Sequence, residues 1–341
     1  MVTMQDIADS VRVSRGTVSY VLNGKYKKAK ISEATKDQIL AAAEKLGYRR
    51  NAVAQSMKTG RTNMIAFIGW IGQEYVMKVI QGMNKELAER GYTLKMLSLE
   101  WSYTDIAQIA RQCVEQMADG VICMGLKEEH LDTVHKELQQ HNIPIVLVDS
   151  SFPHSWCPRI LSDDLNGEIL AVKHLAELGH TRIGHITTSS CGFVELRKAG
   201  FIEGMKECGL ECTENNFACA DNLFEVTEEI YEAFDRFMQS FAPTAITFAS
   251  DNLAMKFLQW TYMRGIKVPD DISVVGFANL DLTTYSSPAL TTVGQPFKQM
   301  GAAAASRLID LISSPATKHR GSDERLPVKL VIRNSTRRLT K

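Results

Sequence analysis

Residues 3–24, TMQDIADSVRVSRGTVSYVLNG, read as two short helices joined by a tight turn. Thr3 with Asp6 three residues later fits a capping box, the reciprocal arrangement that opens a helix. Ile7, Ala8 and Val11 give this first helix one apolar face. Arg12-Val13-Ser14 breaks the period, and Ser14 is a favourable N-cap for a second helix from Arg15 to about Leu22. Thr17, Val18, Val21 and Leu22 form its inner stripe, and Asn23-Gly24 is a stop signal. Ala8 is informative because two helices crossing closely leave little room for a larger side chain. An ordinary αα-hairpin has the same outline. In a helix-turn-helix, the second helix enters the major groove with its N-terminal residues toward the base edges.

Charge favours the second of these. Residues 1–61 hold twelve Lys/Arg against five Asp/Glu, a formal +7, so the other 280 residues carry −7 in a chain of net charge zero. A basic head on an acidic body is the expected footprint of phosphate binding. A third helix follows, with Ser32 as N-cap, Ile39, Leu40, Ala43 and Leu46 as its stripe and Gly47 as its stop. The loop Tyr26-Lys27-Lys28-Ala29-Lys30 before it suits backbone phosphates.

Asn51 to Gly60 is bounded by a cap and a stop but is too short for a helix stable alone in water. It is either a plain linker or a helix that forms only against a partner. Its Met57-Lys58 pair fits the partner-dependent form, because an apolar wedge followed by a cation can enter and kink a minor groove.

From Asn63 the pattern changes to alternating strands and helices. Ile65–Ile68, Thr93–Leu97, Gly120–Met124 and Ile145–Val148 read as buried parallel strands, separated by amphipathic helices near 75–90, 104–117 and 128–141. A second series begins near 160: helix 165–178, strand Arg182–Ile186, helix 195–208, strand Ala245–Phe248, helix 252–264 and strand Ser273–Phe277. The expected fold class is α/β: a small all-α head and two doubly wound parallel-sheet lobes with a cleft between them. Ligands bind beyond carboxyl strand ends in such sheets, which singles out Asp149, Asp251 and the loop after Phe277. Tyr75, Trp70 and Phe248 are candidates for a stacking wall or for the core.

At 341 residues the chain can hold two or three domains, and its 45% apolar, 23% charged composition is that of an ordinary soluble protein. No apolar run spans a bilayer, and the polar, periodic N-terminus is not a secretory signal. The seven cysteines are scattered; only Cys208, Cys212 and Cys219 lie close together, with no His at zinc-ligand spacing. Reduced thiols in a cytoplasmic protein, with no metal and no cofactor, are expected. The sequence carries no nucleophile elbow, P-loop or dinucleotide fingerprint, so no catalytic residue is assigned. His174 and His180 sit at a helix end and read as structural.

From about Thr3 to Arg337 the chain resembles the lactose/galactose repressor family of bacterial transcription regulators. The head motif, Leu46-Gly47-Tyr48, Thr59-Gly60-Arg61-Thr62, Leu178-Gly179-His180, Arg197 with Ala199-Gly200-Phe201, Val268-Pro269-Asp270-Asp271-Ile272 and Gln295-Pro296 occur in that family's order. The resemblance implies a periplasmic-binding-protein-like body and a cytoplasmic homodimer on a pseudo-palindromic operator, with a small effector in the cleft, a carbohydrate by preference. A solute-binding protein shares the body but not the head. The implied organisation is a head over 1–50, a hinge over 51–61 and a body over 62–341. Its N-lobe covers about 62–161 and 292–322, its C-lobe about 162–291 and 323–341. With no heptad helix appended to the tail, a dimer is expected rather than a tetramer.

By position Arg15, Gly16 and Tyr20 read bases, Arg15 through guanine O6 and N7, and Met57 takes the place of an intercalating Leu. The full DNA-contacting set is Thr3, Ser14, Arg15, Gly16, Thr17, Ser19, Tyr20, Asn23, Met57 and Lys58. The effector-contacting set is Tyr75, Asp149, Arg197, Phe248, Asp251 and Ala278. The cleft departs from the family at three places. Ala278 stands where an Asp is usual, Ser250 where an Asn is, and Ser150 where an Arg often follows Asp149. Asn279 or Asp281 could compensate and keep a sugar ligand; a non-sugar ligand or no small effector are the other readings.

Overall fold

The computed structural model describes residues 2–49, 60–99, 105–152, 156–188, 192–220, 227–314 and 322–339. The chain divides into two compact units, Met1–Thr62 and Asn63–Lys341.

In the first unit, α1 (Met4–Val11), α2 (Arg15–Leu22) and α3 (Glu33–Lys45) each start on a hydroxyl cap: Thr3, Ser14 and Ser32 accept the N–H of Asp6, Thr17 and Thr35. Capping replaces the partners that a first helical turn lacks. Ile7, Ala8, Val18, Val21, Ile39 and Ala43 close into one core, with Val11, Val13, Tyr26 and Tyr48 packed against it. The expected α3 stripe is corrected here. Leu40 is 43% exposed and Leu46 37%, because the buried line runs through Ile39, Ala42 and Ala43 and Leu40 lies about 100° around the helix from Ile39.

The second unit is built on two six-stranded sheets. The first uses β1 (Met64–Gly69), β2 (Thr93–Ser98), β3 (Gly120–Met124), β4 (Ile145–Val148), β5 (Arg159–Ser162) and β11 (Asp323–Leu326), in the order β11-β5-β4-β3-β1-β2 and all parallel. The second uses β6 (Ile183–Thr187), β7 (Phe217–Cys219), β8 (Ala245–Phe248), β9 (Ser273–Ala278), β10 (Thr291–Gly294) and β12 (Lys329–Val331), in the order β12-β10-β9-β8-β6-β7, with β12 antiparallel to β10. Strands such as Ile145–Val148 are buried along their whole length because helices cover both sheet faces. Strand order reverses around β1 in the first sheet and β6 in the second, and each reversal opens a crevice at the carboxyl ends.

Helices α4 (Glu74–Glu89), α5 (Ile106–Glu115) and α6 (Glu128–Gln139) serve the first lobe; α7 (Asp164–Glu177), α8 (Val194–Glu207), α9 (Glu228–Phe241), α10 (Asp251–Met263) and α11 (Leu282–Tyr285) the second. The chain crosses between sheets after β5, β10 and β11. The expected crossings near 292 and 322 therefore move. Thr291–Gly294 pairs with β9, whereas Asp323–Leu326 pairs with β5, where Arg159 Nε donates to Asp323 Oδ1 at 2.8 Å.

After β10 the chain returns to the first lobe as α12 (Phe297–Ser313), which packs along α4. The two helices meet backbone to backbone: a Cβ at Gly82 would overlap the Lys298 carbonyl oxygen, and one at Gly301 the Val79 carbonyl oxygen. Around this notch lie Val79, Met83, Phe297, Met300, Ala304 and Leu308. Gly301→Ala gains about 1 kcal/mol of helix propensity but forces the helices apart. We expect a net loss of roughly 1–3 kcal/mol, typical of overpacking, measured by urea unfolding. An unchanged midpoint would show that the crossing is not this tight.

Candidate nucleic-acid interface and ligand cleft

The residues proposed for reading DNA fall into two groups in the head. Thr3, Ser14, Thr17, Ser19 and Asn23 are spent on the fold. Thr3 N and Oγ1 donate to Asp6 Oδ2 at 2.8 and 2.9 Å, which holds the Asp6 carboxyl below its ordinary range. Ser14 Oγ lies 2.9 Å from Thr17 Oγ1, and Asn23 Nδ2 donates to the Ser19 carbonyl at 2.7 Å and to Ser19 Oγ at 3.2 Å. Arg15, Gly16 and Tyr20, by contrast, are exposed on α2, Tyr20 by 50%. A Cβ at Gly16 would meet only Ser14 Oγ, at an ordinary 3.5 Å, so the head's own packing does not require glycine there. Lys25, Lys27, Lys28 and Lys30 are exposed on the loop that follows. The hinge residues Met57 and Lys58 lie outside the described residues.

In the body, the carboxyl edge of the second lobe is organised around Arg197, which is 3% exposed. α8 reaches α7 closely enough because Gly200, one turn on, has no Cβ to overlap the Leu165 carbonyl oxygen. Arg197 Nε donates to Asp164 Oδ2 at 2.9 Å, Nη2 to Gln295 Oε1 at 3.3 Å, and Nη1 to the Ala249 carbonyl. Nη2 also lies 2.8 Å from Asp164 Oδ2. The centroids of the Phe277 and Phe193 rings are 3.8 and 4.1 Å from the guanidinium carbon. Asp164 in turn accepts Ser162 Oγ at 2.5 Å, and Gln295 Nε2 donates to Ser162 Oγ at 2.7 Å. Arg197 is thus already paired, stacked and spent on most of its donors.

Asp251 is fully buried and similarly occupied. Thr292 Oγ1 donates to its Oδ1 at 2.6 Å and the Leu280 N–H to its Oδ2 at 2.8 Å. Burial pushes its carboxyl up to about 6, against the pull of Thr292, Leu280, Arg197 and Arg333. The Leu280 bond holds the loop leaving β9, where Ala278 and Asn279 take φ of 132° and 58°. The two side chains that could replace the missing acid at Ala278 are engaged elsewhere. Asn279 Oδ1 accepts from Arg333 Nη2 at 2.6 Å, and Asp281 binds Lys78 Nζ at 2.8 Å. Lys78 also bridges to Glu74 at 2.8 Å, and Glu74 accepts the Asp281 N–H at 2.6 Å, so this loop is tied to α4 of the first lobe.

Asp149 is different. It ends β4 in the left-handed region, φ 53°, and its carboxylate makes no hydrogen bond or ion pair among the described residues. Burial pushes it up to about 7, the Asp164 charge adds to this, and Arg197 opposes it. Tyr75 is half-buried, 5.9 Å from the Phe297 ring, and Trp70 Nε1 donates to the Gly125 carbonyl at 3.0 Å. Phe248 is corrected: it is fully buried, 5.0 Å from the Phe257 ring and edge-on to Phe234, and belongs to the aromatic core rather than to a ligand wall. Ala278 is buried beside Leu280 against the first-lobe core.

Sequence reasoning missed Asp164, Gln295 and the hydroxyls at two strand ends, Ser150 and Thr187. Asp164 carried a signal, an acid in the first turn after a short strand. Ser150 was noticed only as a lost Arg, and Thr187 carried no signal. His174 and His180 are structural: His174 Nε2 lies 3.0 Å from Thr336 Oγ1, and His180 lies 3.0 Å from both Thr244 Oγ1 and the Arg337 carbonyl, fastening the C-terminal segment to the second lobe.

Residues 3–51 match the family model of bacterial regulatory proteins, lacI family, and residues 172–336 that of a periplasmic binding protein-like domain. The HTH-type transcriptional repressor PurR of Vibrio parahaemolyticus is 32% identical over 347 residues, covering 99% of this chain and 100% of the relative. A lac repressor dimer bound to operator and the anti-inducer ONPF aligns at a TM-score of 0.80 with 24% identity, over 98% of this chain and 99% of that one. A transcriptional regulator CelR–cellobiose complex aligns at 0.71 with 25% identity, over 98% and 100%.

The Asp149 carboxyl has a testable consequence without any ligand. An acid whose folded-state pKa is raised from 3.8 to about 7 keeps its proton better in the fold, so stability is lost as pH climbs between those values. Asp149→Asn should therefore melt a few degrees above the parent chain at pH 8, with the gap closing toward pH 4. A gap that is absent at pH 8, or that grows on acidification, would contradict this environment.

Proposed function

Because the chain belongs to the lacI family of bacterial regulatory proteins and is a DNA-binding transcriptional repressor of that family, we propose that α2 reads the operator through Arg15, Gly16 and Tyr20. The remaining polar residues of the motif hold the two helices in register. The family acts as dimers on operator DNA under the control of small effectors. The observation that carries the reading of α2 is the division of the head. Five polar side chains make the internal bonds, and three positions are left exposed on the helix that a helix-turn-helix inserts in the major groove.

Arg15 supplies a planar fork suited to guanine, Tyr20 a ring with one hydroxyl, and Gly16 a place where backbone comes near the bases. The exposed lysines of the following loop neutralise phosphates and set affinity rather than sequence. Met57 and Lys58 are proposed as the minor-groove wedge of a dimeric hinge, on the chemistry of the pair alone. The compartment is proposed as the cytoplasm, where operator DNA is.

For the body, the proposed effector is a small molecule of carbohydrate size and polarity, held between the two carboxyl edges near Asp149, Arg197 and Tyr75. The polar strand ends support this reading, as does the CelR relative, whose complex contains cellobiose. Arg197 acts here by shaping the floor, since most of its donors are occupied. Asp251 likewise acts through the loop it pins.

Two substitutions test the head. Arg15→Ala should cost on the order of 1–3 kcal/mol at the cognate operator and relax preference at one base pair per half-site; equal weakening on all DNA would make Arg15 a phosphate contact. Gly16→Ala should leave the head's melting temperature unchanged or slightly higher, because the space is open and the helix gains propensity. It should still weaken operator binding. An unaffected affinity would remove Gly16 from the interface.

A further inference from the structure

The cleft holds one carboxyl group, Asp149, that its own groups leave without a hydrogen bond or ion pair among the described residues. Asp149 lies within reach of the Asp164 and Arg197 charges, and Asp251 within reach of Arg197 and Arg333. The other cations nearby are engaged by other acids. Arg159 is bound by Asp323 at 2.8 Å, and Lys78 is shared by Glu74 and Asp281. Of the three carboxylates, Asp164 has Arg197, and Asp251 has Thr292 and the Leu280 N–H. Only Asp149 is left without a donor among the described residues.

Two hydroxyls share this condition. Ser150 Oγ and Thr187 Oγ1 are in residues 8% and 9% exposed, and neither has a hydrogen-bond partner among the described residues. Ser150 follows Asp149 directly. Thr187 closes the face of β6 that carries His185, whose Nδ1 lies 3.1 Å from Glu168 of α7 and whose ring lies 5.3 Å from Phe201 of α8. One helical turn earlier on those helices stand Asp164 and Arg197. One strand step past His185, Thr187 ends β6 at the carboxyl edge of the second lobe, the edge at which Asp164 and Arg197 stand, and the charges of that pair act on Asp149. The lobes also come together here, since a Cβ at Gly192 would overlap Ser151 Oγ. A buried polar atom without a partner is costly; two at the strand ends that carry an unpaired carboxyl describe a site shaped for a ligand that supplies the partners.

We propose that the effector is a small polyol carrying a protonated amine, its ammonium group bound by the Asp149 carboxylate and its neighbouring hydroxyls by Ser150 and Thr187. This rests on the cleft being the effector site. A neutral sugar would leave the Asp149 carboxylate without a countercharge, and a phosphorylated one would set a second anion near it with no free guanidinium among the described residues to receive it. An ammonium group supplies three donors and a countercharge for the Asp149 carboxylate.

The test is calorimetric titration of the full chain. Glucamine and ethanolamine are the cationic probes, sorbitol and glucose the neutral ones, and glucose 6-phosphate the anionic one. Glucamine should bind more tightly than sorbitol, and its affinity should rise about tenfold from pH 6 to pH 8 as Asp149, titrating near 7, ionises. The groups facing Asp149 that set this profile are Asp164, Arg197 and, through Arg197, Asp251 and Arg333. Asp149→Asn should weaken glucamine at least about tenfold and flatten the pH profile. Thr187→Val, which removes only the hydroxyl, should weaken it by a smaller factor.

Failure of both amines to bind, or amine affinity unchanged in Asp149→Asn, overturns the proposal. So does binding of glucose or glucose 6-phosphate in preference to the amines. In that last case, loss of the bound sugar's affinity in Thr187→Val and Tyr75→Ala would keep the cleft as the effector site while the amine is discarded. Full affinity in both variants would discard the cleft as well.

Discussion

A guanidinium group that is 97% buried must have its charge and its donors answered by the protein, and Arg197 draws its answers from five places. Asp164 begins α7, Ala249 follows β8, Gln295 follows β10, Phe277 lies in β9, and Phe193 precedes α8. The bond set thus fixes the relative heights of the elements that form the carboxyl edge of the second lobe. Lysine could supply the charge but not the planar fork or the stacking between two rings. Breaking such a pair leaves a buried charge uncompensated, which is more costly than the pair itself is stabilising. The keystone is therefore positional, and the cleft floor depends on it.

Asp251 repeats the same logic one strand over. It holds the Leu280 N–H and, through it, a loop whose Ala278 and Asn279 adopt backbone angles that L-residues avoid. That loop is also bonded to Glu74 and Lys78 of the first lobe. The lobes are thus coupled by a protein bridge beside Ala278, and Asp149, Ser150 and Thr187, which have no partners among the described residues, lie at other strand ends. In the head the same economy holds on a smaller scale: short polar side chains lock the helix ends, and the exposed positions are relieved of structural duty.

The alternating body and the helix-turn-helix were legible because their signals are local. Strands such as Ile145–Val148 are buried on both faces and read as unbroken apolar runs, and Ser14 and Ser32 announce helix starts by their chemistry. β11 was not legible. Asp323-Glu324-Arg325-Leu326 is an exposed, charged edge strand whose place is set by pairing with β5 and by Arg159, far away in sequence. Leu40 was misread for the reverse reason: its composition suits a core, but the helix turns it away from Ile39. Phe248 sits at a strand end where ligands bind, yet its side chain packs on Phe234 and Phe257 because the ring faces the sheet's interior.

Local pattern in the chain is enough for the head, its charge, the two-lobed α/β body and the strand ends at which ligands bind. Periodicity, caps and charge counts depend on neighbours in the chain, so they survive without coordinates. The tertiary structure alone decided which of the strand-end groups are free. Arg197 and Asp251 looked like ligand anchors and already hold protein partners, while Asp149, Ser150 and Thr187 have none among the described residues. Three crossings between the sheets bring together residues separated by more than a hundred positions. A polar group's availability depends on the partners that those crossings deliver to it.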